Sequence, residues 1–385
     1  MNHSTDRIIT THVGSLPRPD DLLALANDAA TPGKAYDSRL KGAVAAVVQQ
    51  QIDHGLDVID DGEFGKPDFA GYINARLAGF SPATGETGRG PLRDMSAIPD
   101  YYEDMHKRRD GASNLSRMYP PLACTGPIRY TGHDALARDI TNLKAALAGT
   151  DAREVFMPAI SPENAQVGKQ NSYYQTDAEF EIALAEALNE EYRAIVEAGF
   201  IVQIDDPQLI TYFNRNPDKS IAECRAWAEG RVEIINHALH GIPEERIRFH
   251  SCYSFDAAPR LGDMELKDML DLILRIRAGA YSFEAANPRH EHEYELWESA
   301  KLPEGKVLIP GMIAVSTTVV EHPDLVKQRI LRFAKLVGRE NVIASADCGF
   351  GTVAGAPDPH AAVAWAKLDA LVEGARRASE VLWRR

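Results

Sequence analysis

The stretch Ala198-Gly199-Phe200-Ile201-Val202-Gln203-Ile204-Asp205-Asp206-Pro207 joins the end of a predicted helix to a predicted strand. The helix begins at Thr176, because Thr176 and Glu179 have the spacing of a capping box, and it ends at Gly199. The run that follows Gly199 is rich in β-branched residues and ends in polar residues, as strands of parallel sheets do. This helix–glycine–strand unit predicts part of a βαβ motif.

The same unit recurs along the chain. Helix-like segments at 36–54, 265–278 and 323–337 each lead through a glycine into a short β-rich run. Further strand candidates are residues 8–13, 122–130, 155–160, 247–251 and 307–312. Strands that alternate with helices indicate parallel βαβ units, so we predict an α/β fold with one (β/α)8 TIM barrel over residues 1–385. Nine strand candidates exceed the eight of a closed barrel, so we expect 155–160 to be accessory, or the sheet to be open.

Residues 80–120 interrupt this pattern. They contain glycines, prolines, many charges and the pair Tyr101-Tyr102, with no clear period. We interpret them as a long insertion after the second strand. Insertions of this length are often lids over a binding site, although a purely decorative loop fits the sequence equally well.

Composition excludes some classes of partner. The net charge of -14 over 385 residues argues against nucleic acid and anionic membranes, because both require a basic face. The first residues contain no apolar signal region, and the four cysteines are too few for a disulfide scaffold. We therefore expect a cytoplasmic protein whose cysteines are thiols or metal ligands. The sequence is compatible with a monomer or a homo-oligomer.

Polar side chains gather where the predicted strands end. In a (β/α)8 barrel all carboxyl-terminal strand ends meet at one mouth, where active sites lie. Residues far apart in the sequence are therefore expected to become neighbours there. In chain order they are His12 and Ser15, Glu63, Thr125 and Gly126, Asp205 and Asp206, His250 and Cys252, Glu284, and Asp347 and Cys348.

Four of these residues form a candidate metal site. His250 and Cys252 are two apart on one strand, so their side chains share a face. With Glu284 and Cys348 from the last strands they offer one nitrogen, two sulfurs and one oxygen, a tetrahedral set for Zn²⁺. Each also has a structural interpretation: Cys252 and Cys348 could be core residues, and Glu284 could pair with Arg289.

These residues resemble a known family. From Thr10-Thr11-His12-Val13-Gly14-Ser15 to Asp347-Cys348-Gly349, the chain resembles the C-terminal catalytic barrel of cobalamin-independent methionine synthase and its shorter relatives, among them epoxyalkane:coenzyme M transferase. The resemblance implies that His250, Cys252, Glu284 and Cys348 hold zinc. It further implies that Glu63 and Asp205 bind the substrate amino group and Ser15 the carboxylate. The alternative for Glu63 and Asp205 is pairing with a barrel Arg or Lys.

Three departures concern the electrophile. The chain is half the length of the full methionine synthase and lacks its N-terminal barrel. Residues 125–132 lack the tryptophan that stacks on the folate in the family, and Ser316 stands where the family has a catalytic histidine. We name His12 as the candidate catalytic residue, with His322 as a second candidate proton donor, although both could equally be structural.

The favoured function is therefore that of a zinc-dependent thiol S-alkyltransferase, with methyl transfer to homocysteine from an unspecified alkyl donor. One alternative is addition of coenzyme M to an epoxide, which would need a sulfonate pocket built from Arg18, Arg129 or Arg289. Another is a non-catalytic zinc- or thiol-binding protein that acts with a partner. Decarboxylation, known for the same barrel superfamily, would leave the cysteines and His250 unexplained.

Overall fold

The structure, a computed structural model, describes residues 1–28, 33–84, 92–108, 118–253, 258–355 and 359–384. Its strands are β1 (Ile9–Thr10), β2 (Val58–Ile59), β3 (Leu77–Pro82), β4 (Leu122–Tyr130), β5 (Glu154–Ile160), β6 (Lys169–Asn171), β7 (Ile201–Asp205), β8 (Ile247–Ser251), β9 (Ala280–Phe283), β10 (Val307–Ile313) and β11 (Ile343–Ala346).

The α-helices within these ranges are α1 (Asp20–Asp28), α2 (Lys34–Asp53), α3 (Arg93–Ala97), α4 (Pro99–Arg108), α5 (His133–Ala146), α6 (Pro162–Gln166), α7 (Asp177–Glu197), α8 (Gln208–Arg215), α9 (Ile221–Ala238), α10 (Leu270–Ile273), α11 (Pro323–Val337) and α12 (Ala361–Leu382). Short 3₁₀ helices span Gly71–Ala75, Glu244–Arg246, Leu266–Asp268, Glu291–Glu298 and Arg339–Asn341. None of the helices in the described ranges is long and apolar enough to cross a membrane.

Eight parallel strands form a nearly closed barrel. Their order is β1-β11-β10-β9-β8-β7-β5-β2, and every neighbouring pair is parallel. The two edge strands lie side by side, because Asp57 N donates to Thr10 O at 3.1 Å and Thr11 Oγ1 donates to Val58 O at 3.0 Å. The predicted α/β barrel is confirmed.

The choice of the accessory strand was wrong. Residues 155–160 lie in β5, which pairs with β2 and β7 inside the barrel, whereas β4 lies outside it. The reason lies in the burial: the last five residues of β5 are all buried, as a strand covered on both faces requires. In β4, exposed and buried positions alternate towards its end, because one of its faces is open to solvent.

β4 belongs to a second, three-stranded sheet, of which β3 and β4 lie between the second and third barrel strands and β6 follows the third. It pairs antiparallel with β3 and parallel with β6. The predicted insertion at 80–120 begins in β3 and includes α3 and α4, while its residues 85–91 and 109–117 lie outside the described residues. Its role as a lid stays a prediction.

The capping box predicted at the start of α7 is present. Thr176 Oγ1 accepts from Glu179 N, and the Glu179 carboxylate accepts in turn from Thr176 N. These bonds satisfy backbone donors that a helix start otherwise leaves unpaired. At the other end Gly199 has φ +101, a left-handed conformation that favours glycine, and the chain turns there into β7.

Candidate metal centre

Three ligand-type side chains converge at the carboxyl ends of the barrel strands. One ligand atom from each of His250, Cys252 and Cys348 lies within 4.8 Å of the other two, and all three residues are buried. The two Sγ atoms are 3.4 Å apart. His250 lies in β8, Cys252 directly follows it, and Cys348 follows β11, so the curvature of the barrel brings them together.

The imidazole of His250 is prepared to act as a ligand. Its Nδ1 lies 3.1 Å from Ser282 Oγ on the neighbouring strand β9. Its Nε2 is buried, and within the described residues it has no hydrogen-bond partner. Burial, assisted by the charge of Arg248, lowers the pKa of His250 to about 3, so the ring is neutral. A neutral imidazole is the form that binds metals.

The two thiols lack a compensating charge. The adjacent Cys348 sulfur, followed by burial and nearby carboxylates, raises the pKa of Cys252 well above its ordinary value. Two sulfurs this close cannot both ionise in a buried site unless a cation neutralises them. Together with the unsatisfied nitrogen of His250, this donor set fits a divalent metal that prefers sulfur and imidazole.

Glu284, the predicted fourth ligand, is not part of this three-residue cluster. Its Oε1 accepts from Tyr253 N at 2.7 Å, and its Oε2 accepts from Asn287 Nδ2 at 3.0 Å. The Arg260 guanidinium lies 3.7 Å from the same Oε2. Both carboxylate oxygens thus have protein partners beside the cluster, and coordination by Glu284 stays a prediction.

Asp347 connects the loop of Cys348 to the segment that follows Glu284, a role that the sequence did not reveal. Its Oδ1 accepts from the backbone N–H groups of Ala285 and Ala286, both at 2.9 Å, directly after Glu284. Burial, together with the charge of Glu284, raises the pKa of Asp347 to about 7. A Cβ on Gly311 would lie 1.9 Å from Oδ1, so this position on β10 must be glycine. The one feature of the sequence that could have indicated this role is the acidic residue directly before Cys348.

The predicted amino-binding carboxylates lie in one buried environment. Burial, followed by the negative charge of Glu63, raises the pKa of Asp205 well above its usual range. Glu63 Oε2 has no hydrogen bond within the described residues. Lys66, which the sequence reasoning did not single out, places its Nζ 3.8 Å from that oxygen and donates to Pro158 O at 2.7 Å. The alternative interpretation, in which Glu63 pairs with a Lys or Arg, is therefore met in part by the ion pair with Lys66.

Ser15 lies against the loop that carries Cys348. Its carbonyl accepts from Phe350 N at 2.7 Å and from Gly351 N at 3.2 Å. A Cβ on Gly349 would lie only 2.0 Å from Ser15 Oγ. The glycine of the Asp347-Cys348-Gly349 motif thus allows the Ser15 hydroxyl to approach the loop that carries Cys348.

His12 is held by two hydrogen bonds away from solvent. Its Nδ1 accepts from Gly14 N at 3.1 Å, so the proton lies on Nε2, which donates to Gln51 Oε1 at 2.7 Å. Burial lowers the pKa of His12 to about 4. This arrangement supports a role in shaping the turn before Ser15 better than the predicted catalytic role. The second candidate, His322, caps α11 by accepting from Asp324 N.

The candidate sulfonate-binding arginines differ in their surroundings. Arg129 and Arg289 are both exposed. Arg18 donates to the carbonyls of Glu63, Lys66 and Gly351. The addition of coenzyme M to an epoxide therefore gains no support from these side chains.

The closed parallel sheet and the cluster at its carboxyl-terminal mouth define a barrel enzyme. The sequence model of the family described as cobalamin-independent synthase, catalytic domain, matches residues 8–90 and 169–375, and the chain belongs to this family. It thereby belongs among the methyltransferases. The match leaves out residues 91–168, which include the strands β4 and β5 and the helices α3 to α6.

Similar proteins cover the chain almost end to end. A methionine synthase of Saccharolobus solfataricus is 26% identical over 387 residues, which cover 98% of this chain and 96% of that protein. A methionine synthase of Thermococcus kodakarensis is 24% identical over 345 residues, covering 88% and 86%. The chain therefore spans most of the length of these relatives.

Solved structures agree on the fold. A B12-independent methionine synthase from Shewanella sp. W3-18-1 in complex with selenomethionine superposes with a TM-score of 0.69 at 20% identity, covering 98% of this chain and 99% of that chain. A putative vitamin-B12 independent methionine synthase from Listeria monocytogenes superposes with a TM-score of 0.66 at 19% identity, covering 98% and 100%.

Proposed function

We propose that this protein transfers a methyl group to the sulfur of homocysteine and that His250, Cys252 and Cys348 hold a zinc ion for this reaction, with Glu284 as the fourth ligand. The observation that carries the proposal is the convergence of one imidazole and two thiols within 4.8 Å, with His250 Nε2 unsatisfied in the described residues. A hydrolytic zinc site would instead use His and carboxylate ligands and activate water.

The choice of ligands suits a thiol substrate. When bound, zinc lowers the pKa of a substrate thiol, ordinarily about 8.5, so that its sulfur is nucleophilic at neutral pH. The sulfur lone pair forms the new S–CH₃ bond, the electron pair of the broken bond remains on the donor, and the thiol proton leaves to solvent. The anionic ligands Cys252 and Cys348 keep the substrate sulfur electron-rich.

The remaining residues orient homocysteine. Glu63 and Asp205 bind its ammonium group, which would offset the repulsion that raises the pKa of Asp205. The Ser15 hydroxyl, which lies against Gly349, binds the carboxylate. This polarity disfavours a thiol that carries a sulfonate in place of the ammonium group.

The proposal is tested by calorimetric titration of the zinc-loaded protein with homocysteine, 4-mercaptobutyrate and coenzyme M. The second ligand is homocysteine without its amino group, so the pair isolates the contribution of Glu63 and Asp205. We expect homocysteine to bind most tightly, with release of about one proton because the thiol ionises. We expect Glu63→Gln to remove the preference over 4-mercaptobutyrate. Equal binding of the two ligands by the wild type would refute the assignment of the amino site, and tighter binding of coenzyme M would refute homocysteine as substrate.

Turnover is tested separately. Methionine formation from homocysteine is measured with a panel of N-methyl and S-methyl donors, and the Cys252→Ser variant serves as the control. We expect methionine from at least one donor class with the wild type and none with the variant. Equal methionine formation by both proteins would contradict a role for the thiol cluster.

A further inference from the structure

A second group of ligand-type side chains lies on the outer surface, formed by residues other than those of the buried cluster. Glu186 of α7, His237 of α9 and His240 just beyond α9 each offer one ligand atom within 4.8 Å of the other two. His237 Nε2 lies 2.5 Å from Glu186 Oε1. The group therefore joins two helices that are far apart in the sequence and adjacent in the barrel wall.

The hydrogen bonding of His240 leaves one ring nitrogen available as a ligand. Its Nδ1 lies 2.9 Å from the carbonyl oxygen of His237. A carbonyl oxygen can only accept, so Nδ1 carries the proton and Nε2 carries the lone pair. Histidines that bind metals are commonly oriented in this way, with the second nitrogen donating to a backbone carbonyl.

The electrostatic surroundings favour a cation. His237 lies in the last turn of α9, where the helix dipole presents partial negative charge. Glu186 adds a carboxylate, and Glu190, one helical turn further along α7, is also acidic. Glu233, one turn before His237, is instead paired with Arg275 at 2.9 Å. The group thus combines two imidazoles with a carboxylate at the negative end of a helix.

We propose that Glu186, His237 and His240 bind a divalent transition cation of the zinc class, with water completing the coordination. Imidazole nitrogens with one carboxylate suit zinc, nickel and copper better than magnesium or calcium. Such an ion would fasten the end of α9 to α7. Because α9 leads through Glu244–Arg246 into β8, it would stabilise the part of the barrel wall next to His250. The proposal does not depend on the proposed methyltransfer.

The test is a zinc titration of protein in which the buried site has already been filled. Isothermal calorimetry of the wild type is expected to detect one further zinc ion per chain. We expect His237→Ala and His240→Ala each to weaken this binding at least about 10-fold, since even the loss of an outer partner of a ligand costs that much. His133→Ala is the matched control, because His133 of α5 lies 3.6 Å from one carboxylate, that of Glu190 on α7, and belongs to neither ligand group of the described residues.

A second readout is thermal stability. Added zinc is expected to raise the Tm of the wild type and of His133→Ala, because an ion that binds only the folded chain stabilises it. The Tm of His237→Ala should not respond. Circular dichroism of each variant verifies that the fold is retained. The absence of a further zinc in the wild type would overturn the proposal, as would a further zinc that persists in both His237→Ala and His240→Ala.

Discussion

The Sγ atoms of Cys252 and Cys348 lie 3.4 Å apart, although 96 positions separate the two residues in the chain. The strands that precede them, β8 and β11, are separated in the sheet by β9 and β10, so the curvature of the barrel brings the sulfurs together. Any change that displaces one of the two loops should therefore alter the distance between the two sulfurs.

The first prediction concerns the hydrogen bonds between the loop of Cys348 and the segment that follows Glu284. Asp347→Ala removes the acceptor for Ala285 N and Ala286 N, and we expect metal affinity to fall about 10–100-fold, as for other partners that orient ligands. Asp347→Asn is the matched control, because its amide oxygen can accept the same two bonds without the charge. Metal affinity measured by competition with a chromogenic chelator distinguishes them, and equal affinity in wild type and Asp347→Ala would contradict the bridging role.

The second prediction concerns the contact of Ser15 with the loop of Cys348. In Gly349→Ala the new Cβ would lie 2.0 Å from Ser15 Oγ, so we expect a loss of about 1–3 kcal/mol in the free energy of unfolding. Gly230→Ala is the control, since the Cβ there meets nothing within 4 Å and the position lies inside α9. Alanine in a helix interior should stabilise by roughly 0.5–1 kcal/mol. Urea unfolding that gives the same sign for both variants would show that the contact is unimportant.

The third prediction concerns the docking of the insertion. Asp94 of α3 accepts from Arg260 N at 2.9 Å, Gly262 N at 2.5 Å and Tyr102 Oη at 2.8 Å. In Asp94→Ala two buried backbone donors lose their acceptor, at a cost of about 1–3 kcal/mol each. Tyr102→Phe removes the hydrogen bond from its hydroxyl to the Asp94 carboxylate but leaves both backbone donors paired, and it should cost about 1.5 kcal/mol.

Amide hydrogen exchange at Arg260 and Gly262 is the direct measurement for this docking. Exchange should accelerate in Asp94→Ala and remain near the wild-type rate in Tyr102→Phe. A displacement of Arg260 would also weaken its ion pair with Glu284, in which Nη1 lies 3.7 Å from Oε2. Unchanged exchange in Asp94→Ala would show that the loop keeps its shape without the insertion.

The fourth prediction concerns the pH dependence that His12 confers. Burial lowers the pKa of His12 to about 4 from an ordinary value of 6.5, so the folded state holds the ring neutral. The contribution of neutral His12 to the free energy of unfolding is complete above pH ~6.5. It is lost as the pH falls towards 4, because the imidazole then binds a proton in the unfolded chain but not yet in the folded one. The loss amounts to about 3 kcal/mol for a difference of this size.

His12→Asn should remove that loss. We expect the free energy of unfolding of the variant to fall less than that of the wild type between pH 7 and pH 4. The same variant tests the role of His12. If His12 is a positioning residue, its substitution should weaken homocysteine binding and lower stability together. A variant of normal stability and normal homocysteine binding that has lost all turnover would instead support His12 as a proton donor.

The sequence was sufficient for those features that depend on local pattern. The capping box of Thr176 and Glu179 and the two-residue spacing of His250 and Cys252 each specify a local geometry. The prediction that residues 155–160 form an accessory strand was wrong, because a short apolar run does not reveal whether a strand is covered on both faces. Burial on both faces is a property of the assembled barrel.

Other features of the site depend on contacts over long distances in the chain. Lys66 is only three residues from Glu63, but its Nζ also donates to Pro158 O, 92 positions further along the chain. Glu284 contacts Tyr253 and Arg260, which lie in the segment that follows β8. The role of Asp347 requires the register between β9, β10 and β11. No pattern within one segment predicts these contacts.

Zinc K-edge absorption spectroscopy tests the central claim most directly, on protein that carries one zinc per chain. The account predicts two sulfur neighbours at about 2.3 Å and nitrogen or oxygen neighbours at about 2.0–2.2 Å. It further predicts a third sulfur once homocysteine is added, and loss of one sulfur in Cys252→Ser and in Cys348→Ser. A zinc without sulfur neighbours, or a sulfur count that homocysteine does not change, would contradict it.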